Sequence, residues 1–184
     1  MKKIILSLLL SLAILDSALA NWGEINAKFG LDYPTKNKLY EDISAYSGKG
    51  QSVSLECLLH ILMLSFLKFG AGVEYLLPRK FDKDYSETFS FCPVYITVQI
   101  NPFLGGLFIK GNFGQNIYSD IDKEILADVS GGQYYDMEIG YELPFGLIVE
   151  LAHSNYKASG TVRLLPVNIS YSKNSINVGY KFKI

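Results

Sequence analysis

The sequence predicts an all-β fold, an up-and-down antiparallel transmembrane β-barrel of eight strands, and three observations predict it. Through most of the chain, short runs alternate between apolar and polar residues, the pattern of strands with one greasy and one wet face. Tyr and Phe are frequent, 13 and 11 in 184 residues, and such rings suit lipid-facing strands and interfacial belts. The last eight residues keep the alternation to the end: Val178, Tyr180, Phe182 and Ile184 against Asn177, Gly179, Lys181 and Lys183. No later segment of the sequence covers that apolar side. In a bilayer the covering phase is lipid, and barrel closure pairs both edges of the last strand.

The first 20 residues are read as a leader. Lys2 and Lys3 precede a nearly unbroken apolar run, Ile4 to Leu15, and Ala18-Leu19-Ala20 is an A-x-A exit. This is the pattern of a cleaved secretory signal peptide, with cleavage expected between Ala20 and Asn21. The apolar run is shorter than the ~20 residues a spanning helix needs. Residues 21–184 then form one domain. Without Lys2, Lys3 and Asp16, the 17 basic and 18 acidic residues become 15 and 17. So nearly neutral a chain, with no basic stripe, is not expected to bind nucleic acid.

The strands follow in order. The first, about 23–33, sets Ile25, Ala27, Phe29, Leu31 and Tyr33 against Glu24, Asn26, Lys28 and Asp32. Charges are tolerable in a polar lumen, whereas a Lys facing lipid at the midplane costs about 2–4 kcal/mol. Residues 34–51 read as a long loop. The second strand, about 52–59, turns Val53, Leu55, Cys57 and Leu59 outward and Ser54 and Glu56 inward. Residues 57–67 are mostly apolar and lack the usual turn residues. They read as strand, apolar turn, strand, with a short helix as the alternative. The third strand places Leu67 to Leu77 (odd positions) outward and Lys68, Gly70, Gly72 and Glu74 inward, and a polar loop follows from Pro78 to about Thr88.

The fourth strand, about 90–101, has Val94, Ile96, Val98 and Ile100 out and Thr97 and Gln99 in. After a turn at 101–106 the fifth has Leu107, Ile109 and Phe113 out, Lys110 and Asn112 in, and ends near Tyr118. Residues 119–132 read as a third long loop. The sixth is the cleanest: Tyr135, Met137, Ile139, Tyr141 and Leu143 against Asp136, Glu138, Gly140 and Glu142. Pro144-Phe145-Gly146 turns the chain into the seventh, with Leu147, Val149 and Leu151 out and Glu150 in. Between 155 and 176 the apolar phase changes, from Val167, Ile169 and Tyr171 on odd positions to Ile176, Val178 and Tyr180 on even ones. A bulge or an extra hairpin at 172–175 would explain this. An extended fourth loop, about 157–170, feeding an eighth strand is the reading that keeps the strand number even, as bacterial barrels require.

This assignment sends Glu24, Lys28, Glu56, Lys68, Glu74, Lys110, Asp136, Glu138, Glu142, Glu150 and Lys181 into the lumen. Eight strands enclose only enough space for side chains, so a packed ion network is expected there instead of a pore. Pairs such as Glu138 and Glu142 invite an acid/base reading, but alternation alone accounts for them. Cys57 and Cys92 fall on strands that are not neighbours, so no disulfide is expected. No cofactor, metal site or internal repeat is expected.

Taken together, the chain resembles the small eight-stranded outer-membrane barrels of the OmpA/OmpX type. In residues the resemblance is carried by the terminal strand: Asn177, Gly179, Phe182 and Ile184 are similar to the C-terminal signal read by the barrel-insertion machinery. The family usually ends on an aromatic residue, whereas two residues follow Phe182 here. The resemblance implies the bacterial outer membrane, contact with its lipids and lipopolysaccharide, and loops (34–51, 78–89, 119–132 and 157–170) available to an extracellular ligand. It implies a non-enzymatic envelope role, with adhesion or host interaction through the loops. Two other functions are weighed against it. His153-Ser154-Asn155 is similar to an element of the lipid A deacylase barrels, where His and Ser stand two apart on one face; here they are adjacent and must point to opposite faces. A soluble lipocalin-like binder of apolar ligands would need the reverse orientation, with charges outside.

Overall fold

The computed structural model describes residues 23–33, 36–40, 43–46, 49–61, 64–80, 88–102, 105–121, 127–162 and 165–184. The expected leader lies outside them. Among the described residues eleven strands form in chain order: β1 (Gly23–Tyr33), β2 (Lys36–Tyr40), β3 (Ile43–Tyr46), β4 (Gly50–Ile61), β5 (Leu64–Leu76) and β6 (Arg79–Lys80). They continue with β7 (Thr88–Ile100), β8 (Leu107–Ile121), β9 (Ala127–Glu142), β10 (Leu147–Val162) and β11 (Leu165–Lys183). Eight of them make the wall, in the order β1-β4-β5-β7-β8-β9-β10-β11, and β1 pairs antiparallel with β11 to close it. Closure joins the first and last strands and removes the free edges that lipid would not tolerate at an open sheet's two ends.

The register measures the stagger of the barrel. A row of paired residues that leaves β1 at Tyr33 runs through Asn174, His153, Met137, Gly111, Val98, Phe69 and Leu59. It returns to β1 at Gly23, ten residues earlier. A shear of that size tilts the strands by about 40° and closes the tube around side chains alone.

Period two sets the two surfaces. Along β1 the even residues from Glu24 to Asp32 are buried, while Phe29, Leu31 and Tyr33 are exposed. The same holds around the wall: Val53, Leu55, Phe69, Val73, Ile96, Ile109, Phe113, Met137, Ile139, Leu151, Val178 and Tyr180 all face outward. Apolar outside and ionic inside excludes the lipocalin-like reading, which needs the reverse.

The short connections lie at the end that holds the termini. β4 and β5 meet across residues 62–63, β7 and β8 across 101–106, and Pro144–Gly146 forms one 3-10 turn. Phe145 there has φ 67° and stands almost fully exposed. Of the strand–turn–strand reading of 57–67, both strands form, β4 to Ile61 and β5 from Leu64, and the turn lies outside the described residues.

At the other end the expected loops give way to strands. The segment 34–51 contains the β2–β3 hairpin, which leans on β11 through Lys38 and Ser170. β8 reaches Ile121 and β9 begins at Ala127, so strands occupy 119–121 and 127–132 of the loop expected at 119–132, and 122–126 lie outside the described residues. β10 and β11 stay in one uninterrupted register from Leu147↔Tyr180 to Val162↔Leu165. Neither a long fourth loop nor a phase-shifting bulge exists in β11. Tyr171 is buried inside, and Val178 and Tyr180 are exposed, so the apparent change of phase marks an aromatic ring entering the lumen. One irregularity was not foreseen. β5 and β7 pair from Leu67↔Ile100 to Val73↔Val94 and no further, next to Pro93, and the ladder resumes only where β6 pairs with Phe89 and Thr88.

Candidate functional site: the ionic lumen and the outer wall

The lumen is built in three tiers, each from strands distant in sequence. At the terminal end Glu24 of β1 accepts two hydrogen bonds of 2.9 Å from Lys68 Nζ of β5 and lies 3.2 Å from His60 Nε2. Lys181 bonds Glu142 and approaches Glu24 at 3.8 Å.

The middle tier is a cage of two lysines and three glutamates. Lys28 Nζ lies 2.8, 3.2 and 2.9 Å from Glu56, Glu138 and Glu150. Lys110 Nζ lies 2.9 Å from each of the same three. Tyr95 Oη adds a 3.0 Å donation to Glu56, and Asn112 Nδ2 donates to Glu138 and Asp136 at 2.7 and 2.8 Å. Buried charges are tolerated only when paired and hydrogen-bonded; here each cation is shared by three anions. Asp136 differs. Asn112 and Ser154 donate to it, the latter at 3.2 Å, and no basic side chain forms an ion pair with it among the described residues.

The third tier lies under the mouth. Lys173 Nζ donates to Asp32, Ser52 and Glu74 at 3.1, 3.0 and 2.6 Å, and Arg79 bonds Asp32. Tyr156 and Tyr134 donate to Glu74 at 2.7 and 3.3 Å, and Arg79 Nη1 donates to Tyr171 Oη at 2.8 Å. Phe91 packs on Tyr156 and Tyr171 with ring centroids 5.6 and 6.1 Å apart, and Phe89 meets Tyr171 edge-on at 5.0 Å. Such pairs add stability beyond the area they bury.

All eleven expected lumen residues lie in this network, ten of them buried and Glu142 half-buried at its rim. Absent from that set are Asp32, Arg79 and Lys173 and the rings of Phe89, Phe91, Tyr95, Tyr134, Tyr156 and Tyr171. Arg79 falls in the loop expected at 78–88, and Lys173 in the 172–175 segment that only the alternative hairpin reading used. The rings carry no assignment from the sequence, although Tyr95, Tyr134, Tyr156 and Tyr171 share parity with inward neighbours on their strands.

Glycines make the space. A Cβ on Gly179 would fall 2.6 Å from Lys28 Cγ, one on Gly140 2.3 Å from Phe108, and one on Gly72 2.7 Å from Tyr95.

Neither a family model nor a curated protein matches the chain. Solved structures do. The crystal structure of Neisserial surface protein A (NspA) superposes with TM-score 0.54 at 11% identity, over 88% of this chain and 97% of that one. Outer membrane protein AlkL, solved by solid-state NMR in DMPC bilayers, gives 0.50 at 14% identity, over 91% and 94%. Ail of Yersinia pestis, in complex with the heparin analogue sucrose octasulfate, gives 0.50 at 8% identity, over 89% and 100%. The fold is that of a small outer-membrane barrel.

The apolar wall and this fold are together those of a protein of the bacterial outer membrane. Short turns and termini then mark the periplasmic end, and the extended hairpins the outside. Tyr141, Tyr180 and Phe182 form an exposed lower aromatic girdle, and Tyr33, Tyr75 and Tyr135 an upper one. Asn177, Gly179, Phe182 and Ile184, the residues that resemble a terminal signal, sit at the closing seam. Asn177 and Gly179 pair with Gly30 and Lys28 of β1, Phe182 faces outward opposite Ile25, and the Ile184 backbone exchanges hydrogen bonds of 3.0 and 3.3 Å with Gly23. His153 and Ser154 point to opposite sides of the wall: His153 is exposed with Nδ1 2.7 Å from Asn174 Oδ1, while Ser154 is buried. The two cannot act as a nucleophile–base pair. Cys57 and Cys92 are both free.

Proposed function

We propose that this protein is a non-enzymatic envelope barrel, a plugged structural scaffold that carries the β2–β3, β8–β9 and β10–β11 hairpins to the cell surface for contact with an external partner. The observation that supports this most is the Lys28/Lys110 cage, where two cations and three carboxylates cross-brace β1, β4, β8, β9 and β10. Charges so fully engaged with one another lend themselves to bracing, and they stand in the path an ion would take. The barrel-insertion machinery acting on Asn177, Gly179, Phe182 and Ile184 belongs to the same reading.

Planar-bilayer recording tests the plug. The purified barrel should give no large, stable open state; a steady conductance of porin size would refute the scaffold reading. Cells displaying the protein should adhere to host-type surfaces more than cells displaying a version with β2–β3 deleted and β10–β11 shortened. Equal adhesion would remove the surface role.

A further inference from the structure

The outer wall carries one polar interruption inside its apolar band. On β10 the outward residues are Leu147, Val149 and Leu151, and then His153, with Asn174 beside it on β11. Elsewhere among the described residues the outward side chains remain apolar or aromatic up to the tyrosine girdle. The row from Tyr33 drops by about 3 Å at each strand crossing in a barrel of this tilt. His153 lies two crossings along it, so it sits about 6 Å below Tyr33, at the depth of the upper girdle. An ionisable side chain turned toward lipid is costly and is retained where it has a partner to meet.

Below the pair runs a groove of about 570 Å³, lined by Tyr33, Ile109, Met137, Leu151, His153 and Asn174 among others, and predominantly apolar. Above it, the described outward positions of β9, β10 and β11 (Gln133, Asn155, Lys157, Ser172 and Asn174) include a cation and no carboxylate. Asn174 Oδ1 accepts from Nδ1–H of the imidazole, which fixes the ring, and in its protonated form the ring then donates from Nε2 to an anionic ligand. The site is thus amphipathic in the same sense as the leaflet around it: a greasy cleft in the hydrocarbon, capped by hydrogen-bonding and cationic groups at headgroup depth.

We propose that this face is a binding site for one outer-leaflet lipid of the lipid A class, an acyl chain lying in the groove and a phosphorylated sugar head meeting His153, Asn174 and Lys157. Phosphate suits the site because it accepts hydrogen bonds and carries the charge opposite to Lys157. The site is independent of the lumen, so it does not rest on the scaffold reading.

Native mass spectrometry tests it. Wild type, His153→Leu, Asn174→Leu and, as a control at matching depth on β4, Val53→His are released from phosphatidylcholine vesicles doped with lipid A or with its dephosphorylated form. Heat-modifiable migration confirms that each is folded. Wild type and Val53→His should retain one lipid A per barrel, about tenfold more than either leucine variant, the scale of one charge-assisted hydrogen bond. Dephosphorylated lipid A should be retained no better by wild type than by the leucine variants. Equal retention of lipid A by all four proteins overturns the proposal, as does equal retention of the two lipids by wild type. The retained lipid's mass also reports any lost acyl chain, which would contradict the non-enzymatic reading without touching this one.

Discussion

Lys110 shows how the interior is held. Its ammonium is fully buried and within 2.9 Å of three carboxylates. Replacing Lys110 by Met leaves Glu56, Glu138 and Glu150 around Lys28 alone, and removing one partner from a buried ion group costs about 3–5 kcal/mol. Urea titration of folding into lipid vesicles should show that loss. Asp136 makes the useful contrast, since its contacts are with Asn112 and Ser154 and not with a cation. Asp136→Asn keeps the shape and hydrogen-bonding capacity of the side chain and should change stability by no more than about 1 kcal/mol. A large loss would mean that the carboxylate charge itself is needed.

At the scale of the element, β7 divides at Pro93. Below it, Val94 to Ile100 are paired with both β5 and β8; above it, Ser90 to Cys92 pair only with β8. Amide exchange should therefore be faster at Phe91 and Cys92 than at Ile96 and Thr97, because one side of their ladder is missing; equal protection would show a partner on the β5 side. The terminal strand gives a second expectation. Phe182 faces outward and packs on Tyr180 at 4.8 Å, so Phe182→Ala leaves the lumen untouched. It should lower the amount of barrel assembled in cells while changing the stability of barrel refolded in detergent by no more than about 1 kcal/mol, if the insertion machinery reads that ring.

Across the whole molecule, the sequence was legible where lipid wrote on it. Within the apolar band the outward residues, His153 and Asn174 at its upper margin excepted, are apolar, and that constraint produced the period-two runs from which the wall and the eleven lumen residues are read. Above the band the outward face meets water. Strand segments such as 127–132, 157–162 and 165–170 then lose their contrast and pass for loops. Arg79 and Lys173 disappeared for the same reason, each lying in a polar stretch that nonetheless folds back over the mouth. The interior rings stay unassigned in the sequence because Tyr is at home in lipid and in a hydrogen-bonded lumen alike; the parity of Tyr134 with Asp136 and of Tyr156 with Ser154 distinguishes the two. The lipid groove was invisible in the sequence, since it needs β8, β9, β10, β11 and β1 side by side.

The central claim is the orientation of the wall, and spin labels placed singly at residues 135 to 141 of β9 in a reconstituted bilayer test it most directly. Collision rates with oxygen, which concentrates in hydrocarbon, should be high at Tyr135, Met137, Ile139 and Tyr141 and low at Asp136, Glu138 and Gly140, while a water-soluble nickel reagent should reach none of the sites in the band. Oxygen access at the even positions, or nickel access at the odd ones, would contradict the account.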